Sequence, residues 1–444
     1  MAGLKKWFDE WRPAAVTLGL PTFPLLVLFG LNVVDELDRA AFAVLLPDIR
    51  DYFHLTNAKA LGIVSATALL AIFIEIPVAF WADRANRARM AAIGAALWGV
   101  FSFATGLAPT VFLLILARVG AAGGKSVVTP THSSLLSDYY APEARVKVFS
   151  WHRQASAIGL IIGPALGGVL GQAFGWRVPF FLFAIPTFVL VAFALRLHEP
   201  PRGYYERLSA GLSEEHATAT ETPPKLWESF RILGRVKTIR RIWWAMPFLS
   251  IALVGIGSLL ALVYRDVFHL HAAQRGFVAA AIEPLQIIGV FVAIPFVAKI
   301  TAKDPGFLLR FVAVVGVFDG LIIVVLAYAP NVGVAIGMNM LLSATIGTLA
   351  PAFFAMISIV APGRARAFAF TTVTIFGIPG AAVFLPLIGS FADSYGIRAA
   401  MLTMVPITLA AGFVLSSASR FVADDIAATQ AAVRAGTAAV PAVD

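Results

Sequence analysis

The chain has no cysteine among its 444 residues, which excludes disulfides, thiol nucleophiles and cysteine-held metals. Charge is nearly as scarce. Asp, Glu, Lys and Arg make up 13% of the residues, about half the share of an ordinary soluble protein. A phosphate-binding loop is missing too. Gly123-Gly124-Lys125-Ser126 ends like one, but the glycine required six residues before the lysine is replaced by Val119. Without that signature the chain does not read as a nucleotide-driven pump. No convergent set of nucleophile, acid or metal ligands stands out, so neither an enzyme nor a bound metal or cofactor is expected. The ~10-residue alternating stretches of a membrane β-barrel are lacking. The opening Lys5-Lys6-Trp7-Phe8-Asp9-Glu10 is not followed by a short apolar run with a small-residue cleavage site. The first apolar segment is therefore expected to stay as an anchor.

What is present is apolar sequence, 59% of the chain. It falls into twelve segments, near 20–47, 58–81, 89–107, 109–138, 145–173, 176–197, 241–264, 273–298, 307–328, 331–360, 366–391 and 398–420. Crossing hydrocarbon takes about 20 residues as a helix. Backbone groups must be satisfied inside lipid, so each segment is expected to be helical. The net charge of +9 raises nucleic acid as a partner, but its distribution argues against one. With the N-terminus inside, 24 of the 34 Lys and Arg fall on one face, six on the other and four within segments. That bias places both termini in the cytoplasm and suits a multi-pass protein of the plasma or inner membrane.

The halves of the chain resemble each other. Arg50-Asp51-Tyr52-Phe53-His54-Leu55 recurs as Arg265-Asp266-Val267-Phe268-His269-Leu270. Asp83 answers to Asp304, Pro130 to Pro351, Gly168 to Gly389 and the corner Gly175–Arg177 to 396–398, all at an offset of 221 residues. Repeats in the same order predict two parallel six-helix bundles with a site between them. The expected fold is thus an all-α membrane protein of twelve transmembrane helices. Its parts are an N-terminal bundle over 1–197, a cytoplasmic linker over 198–238, a C-terminal bundle over 239–422 and a tail over 423–444. The linker is rich in Pro, Glu, Ser and Thr. Its end, Leu226-Trp227-Glu228-Ser229-Phe230-Arg231-Ile232-Leu233, is amphipathic and predicts a short helix lying on the membrane surface.

Charges at membrane depth cost about 2.5–3.5 kcal/mol each on insertion scales, so each calls for a reason. The first segment holds Asn32, Asp35, Glu36, Asp38 and Arg39, most of them on one helical stripe. Arg39 lies within pairing distance of either Asp35 or Glu36. Three acids against one base leave an imbalance, and burial disfavours an ionised carboxyl without a partner, which suits proton binding and release. Asp35, Glu36, Asp38 and Arg39 are therefore the proton-coupling candidates. A static cluster of ion pairs is the plainer alternative. The fourth segment carries Arg118, Lys125, Thr129 and His132 at spacings that put them on one face. That face either compensates the acids or binds an anionic headgroup, and the two roles are compatible if partners exchange. Glu75 and Arg153 lie at similar depth and are candidates for an inner gate. The second half is greasier: Glu283 and Asp319 are its deep charges, with Tyr264, Gln286 and Asn339 adding polarity. Asn339 joins the substrate-binding candidates. One charged half and one apolar half suit an amphipathic ligand.

Ala79-Phe80-Trp81-Ala82-Asp83-Arg84-Ala85-Asn86-Arg87-Ala88-Arg89 resembles the loop after the second helix in the major facilitator superfamily. Gly159-x-x-x-Gly163-Pro164-x-x-Gly167-Gly168 is similar to that family's fifth helix. Within the superfamily, Leu37-Asp38-Arg39, Leu46-Pro47-Asp48-Ile49, Arg118 and Asp138 resemble the spinster-type lipid transporters. Where that branch has Gly-Glu after the fourth-helix arginine, this chain has Gly124-Lys125. The resemblance implies alternating access and a cytoplasmic latch of Asp83, Arg84, Arg87 and Asp138, with Arg87 reaching Asp138. The reading that follows is a monomeric, proton-coupled secondary transporter of an amphipathic, anionic, lipid-like molecule. A proton-driven exporter of drugs or other hydrophobic metabolites is the alternative within transport. A membrane sensor without flux is the alternative outside it.

Overall fold

A computed structural model describes residues 12–82, 85–201, 226–301, 304, 306–361 and 366–428. Among them every regular element is a helix. The first half runs α1 (Phe23–Tyr52), α2 (Asn57–Ala82), α3 (Arg87–Leu107), α4 (Val111–Lys125), α5 (Val128–Tyr139), α6 (Pro142–Phe174) and α7 (Val178–Ala194). The short α8 (Leu226–Leu233) follows. The second half runs α9 (Lys237–Asp266), α10 (Ala272–Thr301), α11 (Phe307–Ala327), α12 (Val332–Val360), α13 (Arg366–Tyr395), α14 (Ile397–Leu402) and α15 (Met404–Ala418). Seven described stretches are long and apolar enough to cross a membrane. Large apolar side chains such as Phe112, Ile185 and Phe413 are exposed, as lipid-facing positions require.

The chain divides into two compact units. One comprises Met1–His54, Ala66–Thr222 and His271–Ala280; the other comprises Leu55–Ser65, Pro223–Leu270 and Ala281–Asp444. In the first, Leu25, Leu28, Leu135 and Leu136 form a core around Tyr140, whose hydroxyl accepts from Leu25 N and donates to Pro21 O. In the second, Leu233, Ile242, Met356 and Leu415 share a core.

The internal repeat returns as matched geometry. His54 and His269, at the ends of the near-copies, both take left-handed backbone, φ 51° and 55°. Gly175 and Gly396 do the same at φ 89° and 86°, a conformation that glycine adopts without the penalty of a side chain. Thr110 caps α4 by accepting from Leu113 N, and Asn331 caps α12 by accepting from Val334 N. Arg177 donates to Ala108 O at 2.8 Å, and Arg398 to Ala329 O at 3.2 Å. The glycine, cap and arginine pairs are each 221 residues apart, and the histidines 215.

The fourth apolar segment departs from the expected single helix. It breaks into α4 and α5 at Ser126-Val127. Pro130 explains the break, because it has no N–H to offer the Ser126 carbonyl. A short helix is present where one was predicted, as α8, with Trp227 exposed and Phe230 against Phe368 at a ring separation of 4.7 Å. Helical residues continue through 428, past the expected start of the tail.

Candidate functional site

The site forms within the first unit, where α1 meets α4 and α6. Glycines set how close α1 and α6 come. A Cβ on Gly159 would lie 2.5 Å from Glu36 Cβ, one on Gly163 2.7 Å from Leu37 O, and one on Gly167 2.5 Å from Ala41 Cβ. The stripe 159, 163, 167 repeats every four residues, so one face of α6 lies backbone-close against α1. That contact fixes the rotation of α1 and so the direction of its acids.

Each mid-helix acid of α1, Asp35, Glu36 and Asp38, has a base. Asp38 Oδ2 accepts from Arg118 Nη1 at 2.7 Å and Oδ1 from Ser102 Oγ at 2.6 Å. Asp38 and Arg118 are 2% and 8% exposed, so this pair is fully internal. The Arg118 guanidinium also sits 4.4 Å from the centre of the Phe42 ring, an added cation–π attraction. Asp35 Oδ2 lies 2.8 Å from Lys125 Nζ, and Glu36 Oε1 lies 4.0 Å from the same nitrogen. Arg39 pairs with Glu36 at 2.7 Å, the i,i+3 option, rather than with Asp35. The apparent imbalance of three acids against one base is therefore cancelled from α4: three carboxylates face three cations. Arg118 and Lys125, candidates for a ligand headgroup, here face carboxylates. Charge compensation accounts for them as the chain stands.

His132 does not join this face. The break between α4 and α5 turns it to α6, where its Nδ1 is 3.1 Å from His152 Nε2. Asn32, also on α1, donates to His152 O and to Ser156 Oγ. Asn339 lies in the second unit, donating to Tyr264 Oη at 3.0 Å. In that unit the deep Asp319 accepts from Thr345 Oγ1.

At the start of α3, Arg87 is buried and holds several partners. Nη1 bonds Asp138, as expected, and Ser134; Nε bonds Glu199 at 2.6 Å; Nη2 donates to Pro200 O. Glu199 also accepts from Ala88 N at 3.0 Å, capping the helix end with a carboxylate. Arg153 is exposed. Asp83 and Arg84, and the side chains of Glu75 and Thr129, lie outside the described residues. Sequence reasoning missed Ser102, Phe42, His152 and Glu199. Ser102 offered a signal, a hydroxyl in an apolar helix at the depth of Asp38. Glu199 offered none, since it opens a polar run that reads as linker.

The comparisons with known proteins agree with this architecture. The sequence profile of the Major Facilitator Superfamily matches residues 28–371. A lincomycin resistance protein of Streptomyces lincolnensis is 33% identical over 175 residues, 39% of this chain and 36% of that protein. Protein spinster homolog 1 of Xenopus laevis is 27% identical over 193 residues, 41% of this chain and 36% of that protein. The chain thus spans about a third of the length of either. Among solved structures, an inward-facing, unoccupied bacterial homolog of the human lysosomal transporter spinster superposes with a TM-score of 0.78. It covers 91% of this chain and 98% of its own at 19% identity, a likeness of fold. With the profile matched over most of its length, the chain belongs to the Major Facilitator Superfamily, whose members are membrane transporters and not enzymes.

Proposed function

We propose that the chain is a secondary active transporter that uses alternating access, is driven by protons and moves an amphipathic, anionic, lipid-like substrate. The observation that carries the reading is the balanced charge cluster of Asp35, Glu36, Asp38, Arg39, Arg118 and Lys125 inside the membrane. A purely structural helix gains little from six such charges, because each ion pair must repay its own desolvation. A switchable cluster has a use for them. A proton arriving on Asp35 cancels its charge and releases Lys125; a proton on Asp38 does the same for Arg118. The freed cation is then available to an anionic headgroup, and losing that headgroup restores the ion pair. Proton and substrate thus become linked through shared partners. In the greasier second unit, Asn339 and Tyr264 are the candidate polar groups. The Arg87–Asp138–Glu199 cluster and the Asp83-Arg84 loop serve as the inner gate, with Glu75 and Arg153 as further gate candidates. Twelve spans, a monomer, cytoplasmic termini and residence in the plasma membrane complete the reading.

The relative from Streptomyces lincolnensis, named for lincomycin resistance, favours a second reading, proton-driven export of hydrophobic drugs. One experiment separates the two. Proteoliposomes carrying the protein are given an inward or outward pH gradient and offered lysophospholipids of anionic and neutral headgroup, or cationic and neutral drugs. Gradient-dependent flux of anionic lysolipid supports the first reading. Flux of drugs alone supports the second, and flux indifferent to the gradient removes proton coupling.

A further inference from the structure

Lys237, Arg241, Trp244 and Phe248 follow one another at i, i+4, i+7 and i+11 along α9. One stripe of that helix is therefore cationic at its first turn and aromatic deeper in. Across from it, the 3-10 turn Ser419–Phe421 after α15 brings Arg420 and the Phe421 ring. Three cations converge on that ring: Arg420 Cζ at 5.0 Å, Lys237 Nζ at 5.6 Å and Arg241 Cζ at 6.0 Å from its centre. Between the two elements lies an open hollow of about 640 Å³, lined by Arg240 and Val414 together with residues of the stripe and Phe421. Trp244 is 73% exposed along the same stripe.

Among the described residues, none of Lys237, Arg240, Arg241 or Arg420 has a carboxylate within ion-pair distance. Asp424 and Asp425 are the acids nearest in sequence. Asp425 is committed to the backbone, accepting from Lys237 N and Thr238 N. That cap also removes the helix N-terminus from consideration as the anion's anchor. Like charges gathered around one ring repel, and a hollow of this size lined by Lys237, Arg240 and Arg241 invites an anion. The apolar wall running deeper from the same hollow requires that anion to carry an apolar chain.

We infer that the cleft between the start of α9 and the end of α15 is a binding site for one anionic phospholipid. Its phosphate is held by Lys237 and Arg241, with the charge of Arg420 beside the Phe421 ring adding to the attraction, and an acyl chain lies along Trp244, Phe248 and Val414. Positive-inside anchoring accounts for basic residues near a helix end. It does not account for their convergence on one ring above an apolar track. A headgroup pocket does.

The full chain, purified in detergent, is titrated with phosphatidylglycerol, phosphatidylcholine and glycerol phosphate, and bound molecules are counted by native mass spectrometry. One phosphatidylglycerol binds in preference to phosphatidylcholine, and glycerol phosphate does not compete. The variant Arg241→Gln/Arg420→Gln loses the preference, its affinity falling roughly tenfold or more. Equal retention of both lipids, or an unchanged preference in the variant, overturns the site. Tight binding of glycerol phosphate overturns the lipid in favour of a free phosphate. A measurement independent of that variant's folding uses brominated lipids. Brominated phosphatidylglycerol quenches tryptophan fluorescence more than brominated phosphatidylcholine, and Trp244→Phe removes the excess. Persistence of the excess in Trp244→Phe moves the lipid elsewhere and refutes the assignment.

Discussion

Asp38 is held by both oxygens, one on Arg118 and the other on Ser102. Removing one member of a buried ion pair leaves the other charged and unpaired, at a cost of about 3–5 kcal/mol. Asp38→Asn and Arg118→Gln are each expected to lower the thermal midpoint sharply. The double variant is expected to lose far less than the sum. A double-mutant cycle of detergent melting curves checks it, and additive losses would show that the pair is not coupled. Ser102→Ala removes a hydrogen bond to a charge and is expected to cost about 1.5–3 kcal/mol. Lys125→Glu places a fourth acid beside Asp35 and Glu36. It is expected to abolish pH-driven flux and to reduce binding of anionic amphiphiles while sparing cationic ones, read by calorimetry in detergent. Parallel loss of both ligand kinds would leave Lys125 as a counter-ion alone. The acids and bases themselves were legible in the sequence, because a charge in an apolar run needs no partner to be noticed. Which base meets which acid was not. Helical periodicity reports the face a residue occupies on its own helix, not the neighbour that face will meet, so Asp38 and Arg118, 80 residues apart, carry no mark of each other.

Among the elements, α1 and α6 depend most on what is missing from their interface. Gly163 leaves room for Leu37 O, and an added methyl would lie 2.7 Å from that oxygen. Gly163→Ala is expected to cost about 1–3 kcal/mol through overpacking. Gly163→Leu is expected to push the helices apart and misplace Glu36 and Asp38 together. Fluorescence-detected size-exclusion chromatography reports the fold, and flux reports the site. The variant Gly163→Ala is informative on its own: retained fold with lost flux ties helix spacing to function. The glycine stripe could be read from the sequence because its period is that of a helix. The break between α4 and α5 carried its signal in Pro130, yet hydropathy runs straight through it, and the shared face assigned to Arg118, Lys125 and His132 ended there. Helix α8 was legible down to its residues, since its apolar positions and its polar flanks agree.

Across the molecule, duplication is visible in geometry that no single residue pair would reveal, such as the two left-handed histidines and the two arginines bonded to equivalent carbonyls. The two copies do not share their charges. The first unit carries the cluster of six, while the deep Asp319 of the second accepts from a threonine hydroxyl. That asymmetry bears on how the chain is made. A ribosome delivers α1 to the membrane with Asp35, Glu36, Asp38 and Arg39 at its middle long before Arg118 and Lys125 exist. At about 2.5–3.5 kcal/mol per charge, α1 then faces a cost that its later partners will relieve. It is expected to linger at the insertion machinery and to settle only when α4 arrives. Nascent chains truncated after residue 108 should insert α1 poorly, and chains extended to residue 140 should insert it well, scored by glycosylation tags in microsomes. Lys125→Glu should erase the gain. The ion pairs proposed to serve a transport cycle in the finished protein would thus first serve as the late half of its assembly, making the order of synthesis part of what the first helix can tolerate.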